Sequence, residues 1–359
     1  MTVPLLLHVY PTFAVGGAQV RFCTLANRFG RDYRHAIVAM DGNTECRERL
    51  DPRIDVTFPE VEIRKGDTLG NRARFRAVLR ALRPELLVTS NWGSIELAMA
   101  NLPRLVRHVH VEDGFGPEER DRQLPRRVWI RRLLLRRTTV AVPSRVLYRI
   151  AAEAWRLPPD GLRYVPNGID LDRFAVLRRG AAVPVIGTVA ALRPEKNLSR
   201  LLRAFAIVRA AAPCRLVIAG DGPERLRLEE LAAELGMVGD VEFPGYVTDT
   251  PALFAQWDIA ALSSDTEQMP IAVLEAMAAG LPVAATDVGD VRYMVVDANA
   301  PFVVARDEAA VAGALAALLA NPALGAANRA RAEAVFDEAA MFVAWRGLLD
   351  GTLPPVAPT

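Results

Sequence analysis

Residues 267–283 read EQMPIAVLEAMAAGLPV, and Glu275 is the only charged residue between the first of these positions and Asp287. Pro270 suits the first turn of a helix and Gly280 suits its end. The pattern predicts a mostly buried helix that carries one carboxylate. Because burying an ionised group without a partner costs several kcal/mol, we expect a donor to meet Glu275. That donor is either an arginine of a neighbouring element or a hydroxyl group of a bound ligand.

Strand-like runs rich in Val, Ile and Leu alternate with longer helical stretches on either side of this helix. Such alternation is typical of parallel sheets covered by helices, and it restarts after residues 165–168, VPNG. At 359 residues the chain is too long for one ordinary core. We therefore predict an α/β protein with two doubly wound Rossmann-like domains that face an interdomain cleft and join near residues 168–180. The predicted domains are 1–168, 169–340, and a final segment 341–359 that holds the end of a helix returning to the first domain, and a tail.

The composition disfavours several classes of protein. A net charge of +2, from 44 basic and 42 acidic side chains, provides no general field for binding nucleic acid. The three cysteines show neither zinc-ligand spacing nor a disulfide framework. No apolar window approaches the ~18 residues of a spanning helix, and the first residues resemble a strand more than an export signal. We therefore expect a cytoplasmic protein without a metal site.

Residues 267–283 resemble the signature of glycosyltransferase family 4. The hallmark of that signature is two glutamates with seven residues between them, here Glu267 and Glu275. The resemblance implies a GT-B fold and a retaining, metal-independent glycosyltransferase without a cofactor. The donor would be a nucleoside-diphosphate sugar, such as a UDP- or GDP-sugar, and the acceptor a sugar, a glycolipid or a small molecule. It also implies that Glu275 holds the donor ribose and that Glu267 lies near the transferred sugar. The backbone of Met269, Pro270 and Ile271 would hold the diphosphate.

Two further segments resemble parts of the family's donor site. Gly16 and Gly17 follow the first strand, as does the family's glycine loop, which contacts the donor phosphate and the transferred sugar. Lys196 follows the first strand of the second half and resembles the lysine that neutralises the leaving diphosphate. Ala191 stands where the family usually has an arginine, so Arg193 is the candidate for supplying that charge.

The remaining candidates lie in loops or at the end of a predicted strand. Asp113 stands where the family has a sugar-contacting histidine, and His110 is the other candidate for that role, although a histidine in an apolar run is more often a packed core residue. Gly220 and Tyr246 match family loops, the second near the expected base, and each also fits a plain turn. Gln268-Met269 replaces the family's common Gly-Phe, which leaves the donor sugar open.

Six arginines interrupt the apolar residues of 126–137 without gathering on one helical face. The pattern favours a partly buried helix with solvated arginine heads. Peripheral contact with anionic lipid at the inner face of the cell membrane is the second hypothesis.

Two other functions remain open at this point. A nucleotide-sugar epimerase would consume donor without an acceptor, and a non-catalytic nucleotide-sugar-binding protein would bind donor without releasing nucleotide. An oxidoreductase is disfavoured because no GxGxxG motif with its later acidic partner is present.

Overall fold

The computed structural model describes residues 3–64, 66–119, 122–176, 182–321 and 323–358. The chain divides into two compact units, Met1–Pro166 with Phe342–Thr359, and Asn167–Met341. Part of the predicted connection at 168–180 lies outside the described residues, because these exclude 177–181.

The first unit contains a seven-stranded sheet whose described pairs are all parallel, in the order β3-β2-β1-β4-β5-β6-β7. Most of its strand residues are buried, as expected when helices cover both faces of a parallel sheet. The strands are β1 Leu5–Tyr10, β2 Arg34–Ala39, β3 Val56–Thr57, β4 Leu86–Ser90, β5 Arg107–Val111, β6 Thr139–Val142 and β7 Leu162–Tyr164. The helices are α1 Gly17–Phe29, α2 Thr68–Leu82, α3 Ile95–Ala100, α4 Pro125–Leu135 and α5 Arg145–Arg149.

The second unit contains a six-stranded parallel sheet in the order β10-β9-β8-β11-β12-β13. Its strands are β8 Val185–Val189, β9 Arg215–Ala219, β10 Val241–Gly245, β11 Ile259–Leu262, β12 Val283–Thr286 and β13 Val303–Val304. Its helices are α6 Leu198–Ala211, α7 Arg225–Glu234, α8 Thr250–Phe254, α9 Ile271–Ala278, α10 Val291–Met294, α11 Glu308–Leu319 and α12 Leu324–Val335. The last helix, α13 Glu338–Asp350, begins in this unit and continues into the first. The predicted α/β class with two Rossmann-like domains is confirmed.

Helix α9 is the helix predicted from residues 267–283. Pro270 precedes its first residue, and Gly280, at φ +71°, follows its end in the left-handed region that favours glycine. Five residues of this helix are fully or almost fully buried, which matches the apolar sequence, and Glu275 is partly buried. The buried residues are Val273, Leu274, Ala276, Met277 and Ala278.

The prediction of solvated arginine heads on α4 is wrong for Arg131. This side chain is fully buried, and its guanidinium donates to Glu112 at 3.1 Å and to both oxygens of Glu119 at 3.1 Å. The rings of Trp92 and Trp155 each lie 4.9 Å from it. Glu112 and Glu119, which precede α4 in the chain, thus neutralise the buried charge of Arg131. The sequence of α4 alone does not indicate these partners.

Within the described part of the chain, each helix taken singly is too short or too polar to cross a membrane. Helices α11 and α12 form a bent pair that, taken together, has the length and the apolar composition of a membrane span.

Candidate functional site

Two predicted catalytic side chains meet at one edge of the second sheet. Lys196 lies between β8 and α6, and Glu267 lies between β11 and α9. Because β8 and β11 are parallel neighbours, their carboxyl ends share an edge. Lys196 Nζ lies 2.5 Å from Glu267 Oε1, and the Ser264 hydroxyl donates to the same oxygen at 2.7 Å. The structure therefore joins Lys196 and Glu267 in a partly buried ion pair.

Hydrogen bonds fix the two loops that carry this pair. Asp265 accepts from Arg200 Nη2 at 2.7 Å and from the Asn197 side chain at 3.2 Å. The N–H of Asp265 donates to the carbonyl of Glu195 at 2.9 Å. Asn197 also caps α6 by accepting from the N–H of Arg200. These bonds hold the loop before α6 against the loop before α9.

Gly289 lies beneath the Glu267 loop, and the sequence reasoning missed it. At φ +53° it adopts a conformation that favours glycine, and a Cβ there would lie 2.5 Å from the Glu267 carbonyl oxygen and closer still to that of Gln268. The N–H of Asp290 donates to the Gln268 carbonyl at 2.8 Å. The turn after β12 therefore supports the backbone of the loop directly. A glycine just after a strand was the available sequence signal.

Glu275 is a carboxylate without a cation at ion-pair distance among the described residues. Burial raises the pKa of its carboxyl to about 7, although the charge of Arg173 and a hydrogen bond from the Thr250 side chain lower it in part. Sequence reasoning missed Arg173, which lies in a turn, and Thr250, which begins α8. A desolvated carboxylate without an ion-pair partner is suited to accept hydrogen bonds from ligand hydroxyl groups.

The start of α9 lies between the two glutamates. The N–H groups of a first helical turn have no partner within the helix and attract anions, and in α9 that turn begins at Ile271, after Pro270. Met269 is buried, its carbonyl accepts from Asn167 Nδ2 at 3.1 Å, and its sulfur accepts from the Asn167 N–H at 3.2 Å. Asn167 therefore anchors the segment that leads into the helix.

Gly220 has a packing role. At φ +137° its missing Cβ would collide with the carbonyl oxygen of Ala190. Its N–H donates to the carbonyl of Gly245 at 2.8 Å, and Asp221 accepts from the N–H of Leu192 at 2.9 Å. The glycine allows the loop after β9 to pack on the loop that leads to Lys196.

Arg193 and Tyr246 are both exposed in the second unit. The Arg193 side chain forms no hydrogen bond or ion pair with any residue that the structure describes, so its charge is available to an anion.

The candidates in the first unit form a separate group. Arg21 Nη2 lies 2.7 Å from Asp113 Oδ1 and donates to Oδ2 at 2.9 Å, while the Asp113 N–H donates to Asn91 Oδ1 at 2.7 Å. Gly16 precedes α1, Gly17 begins it, and Arg21 follows one turn later on the same side. The helix that starts at the glycine loop thus supplies the counterion of Asp113. Sequence reasoning missed Arg21, for which the spacing from Gly17 was the only signal.

His110 is a packed core residue. It is fully buried, its Nδ1 lies 2.8 Å from the Thr89 hydroxyl, and its Nε2 lies 3.6 Å from Glu112 Oε2. Among the described residues, no group of three or more His, Cys, Asp or Glu side chains is arranged to hold a metal ion.

Two family models together match most of the chain. The model described as "Glycosyltransferase Family 4" matches residues 15–173, and the model "Glycosyl transferases group 1" matches residues 173–335. The chain belongs to glycosyltransferase family 4. The family predicted from the two glutamates is thus confirmed, and so is the GT-B fold.

Curated relatives resemble parts of this family 4 chain. It is 33% identical over 278 residues to the D-inositol 3-phosphate glycosyltransferase of Geodermatophilus obscurus, an alignment that covers 70% of this chain and 60% of the relative. It is 32% identical over 197 residues to the GDP-mannose-dependent alpha-(1-6)-phosphatidylinositol monomannoside mannosyltransferase of Mycolicibacterium smegmatis. That alignment covers 48% of this chain and 52% of the relative. The chain spans less than two thirds of the length of the curated relatives it matches.

Solved structures share the fold over nearly the whole chain. Sucrose-phosphate synthase from Thermosynechococcus elongatus has a TM-score of 0.79 at 19% identity, covering 97% of this chain and 98% of its own. Anabaena Alr3699/HepE, solved in complex with UDP and glucose, has a TM-score of 0.80 at 18% identity, covering 97% and 100%.

Proposed function

We propose that this protein transfers a sugar from a nucleoside-diphosphate sugar to an acceptor hydroxyl, with retention of configuration and without a metal ion. The observation that carries the proposal is the partly buried Glu275 carboxylate, which has no ion-pair partner among the described residues and belongs to the unit that also holds Lys196 and Glu267. Relatives described as GDP-mannose-dependent and a neighbour bound to UDP and glucose support a nucleotide-sugar donor.

Glu275 accepts hydrogen bonds from the donor ribose in this proposal. Its raised pKa shows that the folded protein disfavours the charged form, and hydroxyl donors from the ligand would stabilise that form. Ribose binding therefore recovers free energy that burial of the carboxylate costs.

Lys196, Arg193 and the start of α9 at Ile271 meet the charge of the diphosphate. Positive groups fixed where charge develops stabilise the transition state more than the ground state. Without donor, Lys196 is neutralised by Glu267. We propose that donor binding transfers Lys196 to the phosphate oxygens and frees Glu267 to accept from a sugar hydroxyl, while Ser264 keeps Glu267 in place.

The acceptor oxygen attacks the anomeric carbon from the face that the diphosphate leaves. The bond from that carbon to the diphosphate oxygen breaks, and the acceptor proton passes to the departing phosphate. No enzyme nucleophile is required. Asp113, which forms an ion pair with Arg21, would accept a hydrogen bond from a sugar hydroxyl, and Gly16 and Gly17 would allow the backbone to approach the donor.

The proposed acceptor is a sugar or a glycolipid that is an intermediate of cell-surface polysaccharide or glycolipid synthesis. The proposed transfer takes place in the cytoplasm. The phosphatidylinositol monomannoside named for one relative supports a glycolipid. The three described cysteines are buried and free of disulfides, which is compatible with a reducing compartment.

Thermal shifts with UDP, GDP and ADP test the donor proposal. We expect one nucleotide to raise the melting temperature of the wild type and of Glu234→Gln, a control at an exposed acid of the same unit, and to leave that of Glu275→Gln unchanged. An equal shift in Glu275→Gln would contradict the role of Glu275. Absence of a shift with every nucleotide would contradict the donor class.

A further inference from the structure

Helix α4 has two faces in different environments. One face turns Arg127 and Arg131 towards Glu119 at 3.1 Å. The other face is exposed and carries Arg126, Trp129, Leu133 and Arg136. At about 100° per residue these four positions fall within a sector of about 80°. The arginines and apolar residues of the whole segment do not gather on one face, but those left exposed by the fold do.

The exposed arginines are not neutralised. Arg126, Arg136 and Arg137 are exposed and form no ion pair with any residue in the described part of the chain. Residues 122–152 contain nine arginines and neither Asp nor Glu, although the whole chain has a net charge of only +2. Among the described residues, three acids pair with Arg127 and Arg131 of this segment: Glu112 and Glu119 are buried against Arg131, and Glu118 pairs with Arg127 on the inner side of the helix. The positive charge of the outer face therefore points to a negatively charged partner.

Large apolar side chains lie among these charges. Trp129 is 61% exposed and Leu133 is 59% exposed. Leu105, which precedes β5, is also exposed, and it lies at the same sheet edge as Arg137 because β5 and β6 are parallel neighbours. Arginine next to exposed tryptophan and leucine is the composition of a helix that lies in the headgroup layer of a bilayer.

We propose that the α4 outer face (Arg126, Trp129, Leu133, Arg136 and Arg137) docks on an anionic lipid bilayer. Trp129 and Leu133 enter the boundary between headgroups and acyl chains, while the arginines pair with lipid phosphates. The combination favours a bilayer because lipid phosphates can pair with the arginines while the adjacent acyl boundary accepts Trp129 and Leu133. The proposal does not depend on the donor site.

Vesicle flotation of the full chain tests it. We expect the wild type to float with vesicles of equal parts phosphatidylcholine and phosphatidylglycerol, and to stay in solution with phosphatidylcholine alone. Raising the salt concentration should weaken binding because exposed charges are screened. Equal flotation with both vesicles, or with neither, would overturn the proposal.

Two pairs of variants separate charge from apolar insertion. Arg126→Glu with Arg136→Glu should weaken binding by at least about tenfold, whereas Arg31→Glu with Arg80→Glu, equal in charge and exposed elsewhere in the unit, should bind at least tenfold more tightly than that pair.

Trp129→Ala with Leu133→Ala should also weaken binding by about tenfold or more. Its control, Leu226→Ala with Val238→Ala, removes exposed apolar groups from the second unit and should bind like the wild type. Unchanged flotation of either α4 variant would overturn the proposal. Nucleotide-induced thermal shifts should stay at the wild-type value in all four variants, so failure here is distinguishable from failure of the donor site.

Discussion

Replacing Glu275 by Gln should stabilise the protein while abolishing nucleotide binding. Burial raises the pKa of the Glu275 carboxyl from 4.5 to about 7. At pH values well above 7 the native state therefore holds a carboxylate that it disfavours by about 3 kcal/mol, at about 1.4 kcal/mol per pKa unit. Glutamine has nearly the same shape and no charge, so it should recover most of that free energy of unfolding.

The sign of the pH dependence follows from proton linkage. Between pH 4.5 and about 7 the native state binds the Glu275 proton and the unfolded state does not, so stability falls as the pH rises through this window. The gain from Glu275→Gln should thus be about 3 kcal/mol near pH 8, and below about 1 kcal/mol near pH 5. For a unit of this size, 3 kcal/mol corresponds to a rise of roughly 6–12 °C in melting temperature.

Differential scanning calorimetry at the two pH values measures this effect, with Glu234→Gln as the control at an exposed acid. That control should melt within about 1–2 °C of the wild type at both pH values. A Glu275→Gln variant that melts no higher than the wild type near pH 8, or that gains the same melting temperature near pH 5, would show that burial of this carboxylate does not destabilise the fold.

Three further substitutions address the loops and the buried charges. Lys196→Ala should lower turnover by about 100-fold or more, because it removes the positive charge that we propose meets the leaving diphosphate, while the melting temperature stays nearly constant. Nucleotide-release kinetics measure this effect, and wild-type turnover would contradict the proposed role. Gly289→Ala should lower the free energy of unfolding by about 1–3 kcal/mol in a urea titration, because the new Cβ meets the carbonyls of the Glu267 loop. Gly239→Ala, which has open space around it, should be nearly neutral. Equal losses in the two variants would argue that Gly289 does not support the loop. Arg131→Met should destabilise the fold by about 3–5 kcal/mol, since it leaves the buried Glu112 without its arginine and the buried Glu119 with Arg127 alone. The exposed Arg126→Met should change stability by less than about 0.5 kcal/mol, so similar unfolding curves for the two variants would count against the buried ion pairs.

The parts of the site that were predictable lie within short stretches of sequence. Helix α9 and its carboxylate follow from an apolar run bounded by Pro270 and Gly280, which local rules of helix ends describe. The positions of Lys196 and Glu267 after strands follow from the alternation of strands and helices. Their contact follows from the parallel pairing of β8 with β11, which places both loops at one edge.

The parts that were not predictable depend on residues far apart in the chain. Arg131 is buried because Glu112 and Glu119 face it, and nothing in its own helix indicates this. Arg21 and Asp113 are separated by 92 positions, so no local pattern joins them. Gly220 matched a ligand-loop motif, but its conformation is already required by packing against Ala190.

The structure of the protein with its nucleotide sugar bound would show directly which groups hold the donor ribose. We expect both ribose hydroxyls to lie about 2.6–3.2 Å from the Glu275 carboxylate, with Lys196 moved from Glu267 to the phosphates. A donor bound with its ribose elsewhere, and Glu275 still hydrogen-bonded to Thr250, would contradict this role of Glu275.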